Sequence, residues 1–120
     1  MMDYLFFYFG LSFMIMHEID AVRCKEWRIF PGLASLGDKM GYIIFLFAHL
    51  PLFVWALWYL NHGQNPRLFI QGFSIFSMVH IGLHLLFLKH KLNEFKDWIS
   101  WTIILGAGVS GLLQLIIMAS

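Results

Sequence analysis

Four stretches of this chain, at about 2–22, 40–60, 68–88 and 98–119, are mostly apolar over about 20 residues each. That is the length a helix needs to cross the hydrocarbon of a bilayer at roughly 1.5 Å per residue. Backbone in hydrocarbon must satisfy its own N–H and C=O groups, so such stretches fold as helices. The sequence therefore predicts an all-α integral membrane four-helix bundle, a single domain over residues 1–120, with a short interfacial helix after the first span. Only 12% of the 120 residues are charged and 60% are hydrophobic, too few charges to coat a soluble domain. The net charge is +1, and Lys and Arg fall near the predicted membrane edges rather than on one patch. Membrane lipid is thus the expected partner, and nucleic acid is not. A single cysteine, Cys24, excludes an internal disulfide and a thiol-rich zinc knuckle.

The first stretch is the least regular. Its strictly apolar part, 4–16, is too short to cross, and extension to Val22 carries His17, Glu18 and Asp20 inward. No basic residue precedes Arg23 and no small-x-small cleavage site stands before it, so this stretch is expected to be retained as a span. Residues 24–28 can continue the helix along the interface until Pro31 and Gly32 stop it. Asp38 and Asp97 stand where a carboxylate can cap the second and fourth spans. The turn-rich segment 61–66 breaks the chain between the second and third.

Basic residues orient the bundle. Segment 23–39 holds four Lys or Arg and 89–97 holds three, whereas the middle loop holds only Arg67. Positive charges favour the cytoplasmic side, which places both termini outside a multi-pass inner-membrane protein. Tyr42, Trp98 and Trp101 at one edge, and Trp55, Trp58 and Tyr59 at the other, match interfacial aromatic belts.

Within that frame the polar residues agree in depth. His17, His49, His80 and His84 lie about 8, 14, 12 and 6 Å from the cytoplasmic ends of their spans, all in one leaflet. Ionisable groups inside a span are costly and mark functional sites. His80 and His84, four apart, share a helix face and can share an ion; the bland alternative is two buried imidazoles bonding across helices. His17 and Asp20 share a face, with Cys24 a turn further, so a thiolate ligand stays open there too. Glu18 points about 100° away from His17. Asp20 is a candidate ligand or general base, or else a salt-bridge partner of Arg23; Glu18 is a second candidate base. Asp20, Arg23 and Glu26 recur every third residue, as a charge ladder would. His62 and His90 fall in loops. Pro51 removes a backbone hydrogen bond two residues after His49 and predicts a bend beside a polar cavity. In the fourth span, Gly106 with Ser110 and Ala107 with Gly111 are small-xxx-small pairs, suited to packing inside the bundle or to a homodimer seam.

The run His17, Glu18, Ile19, Asp20, followed by Lys25, Glu26, Trp27, Arg28 and by His49, Leu50, Pro51, resembles a family of small bacterial four-span membrane proteins of unknown function. It is similar also to the HXXEE domain, named for a His-x-x-Glu-Glu motif on its first helix. Here Asp20 stands at the first Glu and Ala21 at the second. The resemblance implies a multi-pass membrane protein with a shared polar centre and no known activity.

Three functions follow from these residues. The first is a metalloprotein with zinc or iron, a divalent ion, held by His17, Asp20, His49, His80 and His84. It would be a hydrolase or redox enzyme acting on a lipid-soluble substrate, with Asp20 or Glu18 as base, and has some likeness to the three-His-plus-Asp ceramidase-like hydrolases of membranes. The second is a haem electron carrier with His49 and His80 as axial pair. The third is a non-enzymatic accessory protein whose polar centre specifies helix packing.

Overall fold

The computed structural model describes residues 4–120, so the start of the expected 2–22 span lies outside the described residues. Four helices account for most of the chain: α1 (Leu5–Arg23), α2 (Gly37–His62), α3 (Pro66–Leu86) and α4 (Trp98–Ala119). Single 3-10 turns occupy Glu26–Arg28 and Ala34–Leu36, and no strand occurs among the described residues. All four helices are long and apolar enough to cross a membrane.

Local chemistry sets the helix ends. Asp97 accepts the backbone N–H of Ser100 at 2.9 Å and caps α4, as its position predicts. Asn65 does the same for Leu68 at 3.2 Å, with Pro66 opening α3 at the position where its missing N–H costs nothing. Asp38 behaves differently from the expectation. Helix α2 starts one residue ahead of it, and its carboxylate instead accepts from Trp27 Nε1 and from the Arg28 guanidinium. Pro51 lies inside the uninterrupted α2.

The expected interfacial extension of α1 is also revised. The helix ends at Arg23, and Lys25 takes a left-handed conformation at φ 50°, which reverses the chain into the Glu26–Arg28 turn. Trp27 is thereby folded inward onto α2. A Cβ at Gly41 would fall 2.6 Å from Trp27 Cδ1, so only glycine lets the indole lie against this helix.

Helix α4 runs between α1 and α3, antiparallel to both. Along α1 the facing pairs are Phe7 with Gln114, whose Oε1 accepts the Phe7 N–H at 2.8 Å, then Gly10 with Ser110, Phe13 with Gly106 and Asp20 with Ser100. Along α3, Gly111 meets the Ser74 backbone and Gly108 meets Ile81 and the Ser77 carbonyl. The small residues of α4 are thus taken up by contacts within the chain, on both of its sides. Helix α2 stands at the edge: only Gly41 and Phe45 of its residues are buried. Between it and the α1–α3 side runs a crevice with two adjoining compartments of about 580 and 590 Å3, which share Glu18, Leu52 and Phe76 in their walls.

A Cβ on Gly111 would sit 2.6 Å from the Ser74 carbonyl oxygen, a backbone atom that cannot rotate away. Gly111→Val should cost about 1–3 kcal/mol by overpacking, read as a lowered Tm in detergent. An unchanged Tm would show that α3 and α4 are not in backbone contact there.

Candidate metal centre

One turn past Phe13, whose ring lies against Gly106 of α4, α1 carries His17, which is 1% exposed and packed on α3. The same packing presents His80 and His84, successive turns of one α3 face, to the His17 ring. The three rings meet edge to face: His17 to His80 at 4.4 Å between centroids, His17 to His84 at 4.9 Å and His80 to His84 at 4.5 Å. One nitrogen from each can be chosen so that all three lie within 4.8 Å of one another. The Nε2 atoms of His80 and His84 are 3.1 Å apart. Tetrahedral ligands each about 2.0–2.1 Å from an ion are separated by roughly 3.3 Å, so this pair already has the spacing of two ligands.

Buried ring nitrogens need partners; His80 Nε2 and His84 Nε2 can hydrogen-bond each other, but three other nitrogens lack a partner. Neither Nδ1 nor Nε2 of His17, nor Nδ1 of His80, has a hydrogen-bond partner, which in an apolar interior costs about 1–3 kcal/mol per group. The nearest carboxylate is Glu26, whose Oε2 lies 3.9 Å from His17 Nε2. Burial, with the Glu18 charge adding to it, pushes the Glu26 carboxyl up to about 8. The 87–97 loop closes the end of the cluster. Phe95, 1% exposed, packs on His17 and His84 with ring centroids at 5.3 and 4.6 Å. Its carbonyl accepts from Trp101 Nε1 at 2.9 Å and its N–H donates to Asn93 Oδ1 at 3.1 Å. The open side is lateral, where His80, His84 and Glu26 line the crevice.

The remaining candidate residues lie elsewhere. His49 Nδ1 faces the Phe45 carbonyl at 2.6 Å, which only accepts, so Nδ1 carries the hydrogen. Its Nε2 lies 2.6 Å from Glu18 Oε2 and shares a proton with that carboxylate. His49 and Glu18 therefore engage each other across the crevice, outside the three-His cluster. Asp20, 7% exposed, is also outside it. It accepts from Arg23 Nε at 2.7 Å and from Ser100 Oγ at 2.5 Å. Arg23 reaches on to Asp97 at 3.1 Å, and Cys24 Sγ lies 3.8 Å from Asp20 and 3.7 Å from Ser100. This network joins the C-terminal end of α1 to the first turn of α4. The Asp20–Arg23 rung of the expected charge ladder is made, but Glu26 leaves the ladder because the left-handed Lys25 turns it inward.

Sequence reasoning did not find Glu26 or Phe95 at the cluster. Glu26 stands in a run that reads as an interfacial anchor, and nothing in a Lys at position 25 announces a chain reversal. Phe95 had one usable sign, a large aromatic residue within a mostly polar link.

A model of a family of unknown function (DUF6713) matches residues 4–120, and the chain belongs to that family. No curated protein and no solved structure matches it.

The network of Asp20 is expected to be structural in weight. Asp20→Ala should remove about 1.5–3 kcal/mol, the worth of hydrogen bonds to a charged group, seen as a lower Tm. Equal stability of the variant would mean that this carboxylate does not fasten α1 to α4.

Proposed function

For a member of this family of unknown function, we propose a multi-pass inner-membrane metalloprotein whose centre is His17, His80 and His84, with Glu26 beside it. Both termini lie outside, which puts the basic loops and the centre on the cytoplasmic side, in line with the positive-inside rule. The observation that carries this reading is the pair of unpartnered nitrogens on His17, facing two further imidazoles at ligand spacing. An ion shared by the rings would satisfy what hydrocarbon cannot. Three histidines leave a position for substrate or water, the arrangement of catalytic rather than closed structural sites. Imidazole and carboxylate suit zinc and ferrous iron alike.

When bound, such an ion supplies Lewis-acid polarisation and lowers the pKa of water. The chain's own residues supply the rest. Glu26 is placed to ligate or to carry a proton, and a cation next to it would favour its ionised form. Phe95 keeps loop-side water away. We read the reaction as hydrolysis of a lipid-borne bond: the oxygen of water goes to the electrophilic atom, and one of its protons passes through Glu26 to the leaving oxygen or nitrogen. Glu18 and His49, paired with each other, bound the site on the crevice side. A haem is disfavoured, because both nitrogens of His49 are engaged and His80 and His84 share one helix.

Elemental analysis of detergent-purified protein should find about one zinc or iron per chain, lost in His80→Ala/His84→Ala and kept in His62→Ala. A metal-free wild type that is otherwise folded, or metal unaffected by the double substitution, supports instead a polar centre that only specifies packing.

A further inference from the structure

The crevice beside the centre is polar at one end and apolar along the rest. Its inner compartment is lined by Glu18, Glu26, His49, His80 and His84 among apolar side chains. Its outer compartment continues past Leu52 and Phe76 to Phe73, Phe69 and Tyr59, and its one ionisable carboxylate is Glu18, at the junction. From His84 to Leu68 along α3 is about 24 Å at 1.5 Å per residue, most of the roughly 30 Å thickness of a bilayer core. The walls face outward: Leu52 is 51% exposed and Trp55 55%, so entry is sideways. Each compartment falls within the range of roughly 300–1,000 Å3 typical of ligand pockets.

Gly72 is a second, independent observation. Gly106, Gly108 and Gly111 of α4 sit where a Cβ would strike a neighbour, but a Cβ on Gly72 would meet nothing within 4 Å. Gly72 lines the outer compartment. A glycine within a helix costs about 1 kcal/mol relative to alanine, and here no close approach of another helix requires it. What it does is keep the crevice wide. No Lys or Arg lines either compartment, while two carboxylates line the inner one. A phosphate at the reacting end would find no guanidinium or ammonium partner; a neutral carbonyl linkage needs none.

We propose that the crevice holds the single hydrocarbon chain of a neutral acyl lipid, with its ester or amide linkage at the three-His cluster. The placement of the linkage rests on the metal-centre reading; the placement of the chain does not. The occupant lies with its tail along Phe76, Phe73 and Phe69 and its head toward the cytoplasmic loops.

The test uses the full chain in detergent and a monoacylglycerol bearing a photoactivatable diazirine at mid-chain, with cross-links located by mass spectrometry. Labelling should concentrate on Leu52, Phe69 and Phe73 and be lost in Gly72→Phe, which fills open space and so should fold. Gly82→Phe, also built into open space but not lining the crevice, should label like wild type. Metal content should be equal in all three. Even labelling of every exposed apolar face, including Val109 and Ile116 on α4, or indifference to Gly72→Phe, would overturn the proposal. So would better competition by an alkyl phosphate than by unlabelled monoacylglycerol, or a dimer that shields the crevice from the probe. Crevice labelling that is lost in Gly72→Phe in a protein without metal would uphold the bound chain and remove the metal centre alone.

Discussion

Gly108 and Gly111 let α4 come within backbone distance of α3, Gly106 receives the Phe13 ring of α1, and the meeting of three imidazoles depends on that approach. Residues from α1 and α3 reach each other because both helices press against one thin helix between them. In a membrane helix pair the gain from such contact is packing rather than escape from water, so small side chains decide which faces join. A branched side chain at Gly111 would push α3 outward and carry His80 and His84 away from His17. The geometry of the cluster is therefore set by residues that have no chemistry of their own.

Two polar systems lie near the same end of the molecule, and they differ in completeness. Asp20, Arg23, Ser100 and Asp97 satisfy one another and partly face the loops. Their job is fastening. The three histidines are more enclosed and hold nitrogens with nothing to bond. Glu18 and His49 form a third, smaller unit between them and the crevice, and they also give the peripheral helix α2 a polar tie to α1. Trp27 against Gly41 and the Arg28–Asp38 pair fix the loop end of α2. Its middle is left free to stand off and form the crevice wall.

The four helices were legible because an apolar run of about 20 residues specifies a helix long enough to cross a membrane, and each predicted span falls within a few residues of an observed helix. The His80–His84 pair was legible from spacing on one face. His17 joined them for a reason visible only as agreement in depth. What could not be read was which helices adjoin. Depth places His49 with the others as well as it places His17, but depth carries no information about angle around the bundle axis, and His49 looks onto Glu18 instead. Asp20 shares a helical face with His17 only approximately; three residues of twist turn it toward α4 and Ser100. Glu26 was hidden because its position depends on one left-handed residue, Lys25, in a conformation that sequence does not signal at a non-glycine position.

X-ray absorption at the metal edge of the loaded, detergent-purified chain tests the central claim most directly. The account predicts a first shell of nitrogen and oxygen at about 2.0–2.1 Å with the outer-shell scattering of three imidazoles. A shell containing sulfur near about 2.3 Å, or one with fewer than three imidazoles, would contradict it.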